Sequence, residues 1–279
     1  MLSDIAFNQL DQLPALSPAT PKLIELANSI TASPKELLDI VKTDPILAGK
    51  ILALVNSAYF SLPERIYSLN RAIILLGINT IKNIALSSSL VNALGTTEQN
   101  QYFNNTELWK HMLAVGITSK ILAQKSKINK QEIEHYFIAG LLHDIGDILM
   151  IKLYPNEFYN LIAEAKENEF SISELSRDKY NTTANIIGAK ASKLWKLPDP
   201  LCEVIEFSRK PQKDSSKLTK TVYISDKICR KLEIGFTCDK SDLDISDSDL
   251  ESLNLQPDDL LSIQELIEVE MEKASVFIE

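Results

Sequence analysis

His143 and Asp144 stand side by side in Gly140-Leu141-Leu142-His143-Asp144-Ile145-Gly146-Asp147, an otherwise apolar stretch. An imidazole nitrogen and a carboxylate oxygen are both ligands for a divalent transition-metal ion. Neighbouring residues on a helix point about 100° apart, so this pair converges on one ion only where a helix end is enclosed by ligands from other helices. His111, in Leu108-Trp109-Lys110-His111, and Asp226, in Tyr223-Ile224-Ser225-Asp226, are the candidates for the remaining corners. One divalent ion could sit among the four. The bland alternative is a hydrogen-bonded polar cluster that holds buried helices in register. The third histidine, His135 in Glu132-Ile133-Glu134-His135-Tyr136, reads as a surface or helix-capping residue. Asn56-Ser57 offers a hydroxyl, but no base stands beside it in any recognisable motif, and both residue types favour helix ends and turns.

The elements that must position these groups are helical. Four helix starts are written as a capping side chain followed by proline: Thr20-Pro21, Ser33-Pro34, Asp44-Pro45 and Asp199-Pro200. Glu36 completes a capping box with Ser33. Between the starts, apolar residues recur at three- and four-residue steps, as in Ile46, Leu47, Ile51, Leu52, Leu54 and Val55, or Leu113, Ile117, Ile121 and Leu122. No alternating run is long enough for a sheet; Thr221-Val222-Tyr223-Ile224 comes nearest and flows into a helical pattern. The fold class expected is all-α, with one helical bundle from about Thr20 to Ala93 and a second from Thr106 to about Leu232.

Two breaks organise the chain. Gly95 to Asn105 is polar and aperiodic and reads as a loop. Asp239 to Asp249 carries aspartates at 239, 242, 244, 247 and 249, but a calcium-binding EF-hand loop would need a central glycine that is absent. A solvated acidic loop before a last helix, roughly Pro257 to Ala274, is expected. The resulting division is 1–95, 105–235 and 236–279.

Composition narrows the function classes. At 279 residues and 45% hydrophobic content, the chain can bury a substantial core. A net charge of −9 argues against nucleic acid as a partner, since phosphate backbones require clustered Lys and Arg. Cys202, Cys229 and Cys238 are odd in number and lack CxxC spacing, which suits reduced core thiols in a cytoplasmic protein. No basic region precedes an apolar run at the N-terminus, and Lys82 interrupts the most apolar stretch, so no membrane span is expected.

The order of one His, then His-Asp, then a final Asp resembles the HD superfamily of metal-dependent phosphohydrolases. Further motifs, Leu13-Pro14-Ala15-Leu16, Thr43-Asp44-Pro45-Ile46-Leu47, Val55-Asn56-Ser57-Ala58-Tyr59-Phe60 and Ala72-Ile73-Ile74-Leu75-Leu76-Gly77, followed by Trp109-Lys110-His111, Gly188 and Leu194-Trp195-Lys196-Leu197-Pro198, are similar to the HDOD family, the HD-related output domains of bacterial signalling proteins. The resemblance implies an N-terminal helical bundle packed on an HD-like bundle. It also implies where this chain departs. Ala184 and Ser208-Arg209-Lys210 stand where many relatives carry histidines, and Asp147 stands where related HD-GYP phosphodiesterases use a Lys.

These departures remove the ligands of a dinuclear site and put a negative charge where a phosphodiester would sit. The function the resemblance implies is a non-catalytic signal-transduction module that binds a signalling protein or a small ligand, with any sensory domain acting in trans. The alternative is a metal-dependent phosphohydrolase with a mononuclear site at His111, His143, Asp144 and Asp226. No catalytic residue is assigned, and no organic cofactor is expected.

Overall fold

A computed structural model of the chain describes residues 16–29, 31–94, 99–100, 103–130, 132–168, 170–236 and 243–274. Its helices begin with α1 (Ala19–Asn28), α2 (Pro34–Val41), α3 (Pro45–Val55), α4 (Leu69–Leu76) and α5 (Ile78–Leu94). A single 3-10 turn, Ala58–Phe60, follows α3. The polar segment after α5 holds a two-residue antiparallel pair, β1 (Gln99–Asn100) and β2 (Phe103–Asn104), so it is not wholly a loop. Then come α6 (Asn105–Lys125), α7 (Ile133–Leu142), α8 (Ile145–Leu153), α9 (Pro155–Asn168), α10 (Ile172–Tyr180), α11 (Ala184–Leu194), α12 (Asp199–Phe207), α13 (Lys217–Lys231), α14 (Asp247–Ser252) and α15 (Asp259–Lys273).

Local chemistry explains the boundaries. Ser33 caps α2 in a complete capping box with Glu36, and Asp44 caps α3 by accepting from the Leu47 N–H. Two of the proline-marked starts move. α1 begins before Thr20, whose hydroxyl turns inward to Ser17 and Ser89 instead of capping; α12 begins at Asp199 itself, after Pro198. A buried partner has outcompeted the helix end for the Thr20 oxygen. In the acidic stretch Ser246 and Asp249 form a second capping box that starts α14, so this part is a helix entry; Asp239, Asp242 and Cys238 lie outside the described residues. Leu13, Pro14 and Ala15 also lie outside them.

α5 is buried along its length from Ile81 to Leu90 and packs on α1, α3 and α4 on one side and on α7 and α8 on the other. One apolar cluster therefore runs from Ala19 to Ala274. Lys120 of α6 adds a second tie: its ammonium lies 4.7 Å from the Tyr59 ring centre and 2.8 Å from Glu134 of α7. Tyr59 packs in turn on Phe60 and on Phe137 of α7. Among the described residues no helix is long and apolar enough to cross a membrane.

α6 and α7 make the most extensive helix pairing, and glycine permits it. A methyl group on Gly140 would lie 2.7 Å from the Val115 carbonyl oxygen and from the Gly116 Cα. Backbones touch at this crossing, which brings His111, within α6, close to His143 at the end of α7.

Candidate functional site

His143 is the last residue of the α7 helical path and Asp144 precedes α8 with φ −106° and ψ 22°. The short step between helices lets adjacent side chains turn toward each other, with His143 Nε2 3.3 Å from Asp144 Oδ2. His111 on α6 supplies the second ring, 5.6 Å away between centroids. Asp226 on α13 reaches both: its Oδ1 is 3.1 Å from His111 Nε2 and 3.8 Å from His143 Nε2. The four sequence candidates thus meet in one place, and all are buried. His135 does not join them and is exposed on the first turn of α7. Asn56 also lies elsewhere, its amide bridging the Leu52 carbonyl and both backbone groups of Ile66.

Each imidazole is oriented from behind. The His143 Nδ1–H donates to the Gly140 carbonyl at 2.6 Å, and the His111 Nδ1 lies 3.2 Å from the Ile234 carbonyl. That last contact depends on Gly235, whose φ of +72° turns the chain back against α6, where Phe236 N–H donates to Glu107 O. A neutral imidazole donates through one nitrogen only, so both Nε2 atoms are left as acceptors facing carboxylates. Acceptors pointed at acceptors require a cation or a further proton between them. His111, His143 and Asp144 each offer a ligand atom, all within 4.8 Å of one another. Two imidazoles with carbonyl-held Nδ1 atoms and the Asp144 carboxylate fit a single divalent transition ion, with Asp226 against both rings but outside that close group.

Two arginines that were not assigned a role from the sequence complete the cluster. Arg209, in the turn after α12, ion-pairs with Asp144 Oδ2 at 2.9 Å and with Asp147 Oδ2. Arg230, one turn beyond Asp226 on α13, places its Nε 3.0 Å from Asp226 Oδ2. Three buried carboxylates therefore face two guanidiniums, and one further positive charge closes the balance. Asp147 does not stand as an unanswered negative charge: the Lys-to-Asp departure at 147 and the arginine at 209 meet as a pair. Ala184, where relatives carry a histidine, packs its backbone against Gly146, beside this pair.

The charges set the protonation of the cluster. Burial would lower the His143 pKa, but Asp144 and Asp226 beside it outweigh burial and push it up to about 10. Burial raises Asp147 to about 7 against the pull of Arg209, with Asp144 adding repulsion. Burial also opposes ionisation of Asp144, yet Arg209 and His143 hold its carboxyl well below the usual range. Arg230, with the two histidines, does the same for Asp226. The (i, i+4) spacing of Asp226 and Arg230 was a readable signal for that ion pair. Nothing in the sequence near Arg209 points to a partner more than sixty residues away.

A family profile described as HDOD domain matches residues 13–211. An "Uncharacterized protein" of Treponema pallidum (strain Nichols) is 27% identical over 203 residues, 72% of this chain but only 38% of that protein, so the chain spans under two-fifths of the curated relative it matches. A crystal structure named "Putative phosphohydrolase" from Shewanella amazonensis SB2B is similar with a TM-score of 0.71 at 22% identity, covering 97% of this chain and 93% of that one. One named "Putative signal transduction protein" from Marinobacter aquaeolei VT8 reaches 0.77 at 18% identity, covering 98% and 61%. At these identities the likeness is one of fold, and the two names point to different functions.

Proposed function

The chain belongs to the HDOD family, and from that premise we propose that it is a non-catalytic regulatory module of signal transduction, acting by binding a protein or a small ligand. The observation that carries this reading is the closure of the His-Asp cluster. His111 and His143 have no exposed surface, Asp144, Asp147 and Asp226 have almost none, and Arg209 lies across the carboxylates where a phosphate would have to approach. A substrate needs access and an anion needs free positive charge; here both guanidiniums are already engaged by aspartates.

One observation favours a second reading, a phosphohydrolase with a mononuclear site: the two Nε2 atoms point at carboxylates in the manner of oriented ligands. His111, His143, Asp144 and Asp226 would hold the ion. Such an ion supplies a polarised phosphoryl oxygen and an activated water. For that chemistry Arg209 would have to swing from Asp147 to the substrate.

Turnover of cyclic dinucleotides, nucleoside phosphates and a generic phosphodiester, assayed with added manganese, iron, magnesium or zinc, separates the readings. We expect none. Wild-type turnover that disappears in a His143→Ala, Asp144→Ala double variant would replace the regulatory reading with the enzymatic one.

A further inference from the structure

Away from the His-Asp cluster, a cavity of about 850 Å³ opens between α3 and the segment that follows it, lined by Leu52, Ala53, Ile66, Arg65 and Tyr67 among others. Its frame is fixed. Asn56 at the end of α3 donates to the Leu52 and Ile66 carbonyls and accepts from the Ile66 N–H, all at 2.7–2.8 Å, so residues 57–65 form a loop tied at its base. Ser61, with φ 46°, turns the loop, and Ile66 is buried beneath it. A preformed concavity with an apolar floor and a few polar groups is the usual form of a small-molecule site.

Three side chains at the cavity bear on its chemistry. Tyr67 is 80% exposed, so most of its ring is open to a ligand. Arg65 is exposed 5.8 Å from that ring and has no carboxylate partner among the described residues, since its neighbour Glu64 is taken by Arg71 at 2.9 Å. Ser57, also in the lining, has a buried hydroxyl without a hydrogen-bond partner among the described residues. A flat aromatic surface and an unneutralised guanidinium beside an apolar floor fit one ligand chemistry: an aromatic ring that carries an anionic group.

We propose that the cavity bounded by Asn56 and Tyr67 is an effector site for a planar aromatic anion of about mononucleotide size, its ring stacked on Tyr67 and its anionic group paired with Arg65. The proposal deepens the reading of a binding module. Its test is a binding measurement and stands or falls separately from the turnover assay. The sources of this chemistry are a nucleoside monophosphate, with a phosphate, and an aromatic acid, with a carboxylate. An alanine that removes a stacking side chain weakens such contacts by about tenfold or more.

Calorimetric titration of the full chain with adenosine and guanosine monophosphates and with 4-hydroxybenzoate, beside adenosine and inorganic phosphate as single-feature controls, makes the test. We expect saturable binding of at least one ring-bearing anion and about tenfold weaker binding of the matching controls. Arg65→Ala and Tyr67→Ala should each weaken it about tenfold with unchanged circular dichroism, both side chains being exposed. A nucleotide-only or hydroxybenzoate-only response names the source. Absence of binding by all three ring-bearing anions at millimolar concentration, or binding that both variants leave intact, would overturn the proposal.

Discussion

Replacing Arg209 by Met is the most informative perturbation of the His-Asp cluster. The guanidinium is 12% exposed and holds two carboxylates that are essentially without solvent contact. Removing one partner of a buried ion pair costs about 3–5 kcal/mol, a large share of the roughly 5–15 kcal/mol that hold a domain together. The structure divides that loss by pH. Asp147 has a folded pKa of about 7 against an ordinary 3.8, because burial outweighs Arg209. A raised carboxyl pKa costs nothing below 3.8, and the cost grows as pH rises until the folded group ionises. Below pH 7, Asp147 is protonated with or without Arg209, so the loss there is that of the Asp144 pair, near the lower end of the range. Above pH 7 the wild-type carboxyl ionises against Arg209 whereas the variant carboxyl cannot, and the gap widens by about 1 kcal/mol between pH 7 and 8. Urea unfolding of wild type, Arg209→Met and Arg209→Met/Asp147→Asn at pH 6, 7 and 8 measures this. The double variant should lose the widening above pH 7. A loss under about 1 kcal/mol at every pH, or a gap that does not grow above pH 7, would refute the reasoning.

In chelated wild-type protein, the His143 pKa of about 10 against an ordinary 6.5 contributes stability that is complete below 6.5 and is lost as pH rises toward 10; the lowered Asp144 and Asp226 contribute stability above 3.8 that is lost as pH falls below it. A flat unfolding curve across pH 6.5–10 would contradict this. Gly140→Ala should destabilise by at least about 2 kcal/mol, because the added carbon meets backbone on α6. Gly49→Ala on the exposed face of α3, with nothing within 4 Å, should be neutral or stabilising by up to about 1 kcal/mol; equal thermal midpoints for the two variants would be the wrong result. Burial pushes the Cys229 thiol up to about 12. Iodoacetamide at pH 8 should therefore leave Cys229 unmodified in native protein and label it in denaturant, as read by peptide mass spectrometry.

The helical class and the four candidates for the site were legible because each is signalled locally or by type. Ser33 and Asp44 cap helices with their own oxygens, and a His-Asp pair is conspicuous in an apolar run. What sequence reasoning missed is set by distance along the chain. Thr20 looks like a cap and instead bonds Ser89, sixty-nine residues away. Asp147 looks like a surplus charge until Arg209 is folded onto it. The resemblance had suggested separate departures at Asp147 and at Ser208-Arg209-Lys210; in space Asp147 and Arg209 are one ion pair. The cavity beside Asn56 had no signal of its own, since a loop closed by an amide looks from sequence like any turn.

The burial of α5 on both sides bears on how this protein opens. A helix shared by two bundles has no separate melting transition, because freeing it uncovers apolar surface in both. Its backbone amides should exchange with deuterium only when the whole chain unfolds, at the same free energy as those of α6. α5 thus touches both the helices around Asn56 and, through α7 and α8, the elements that hold His143 and Asp144 between them, so a tilt of α5 would be felt at both places.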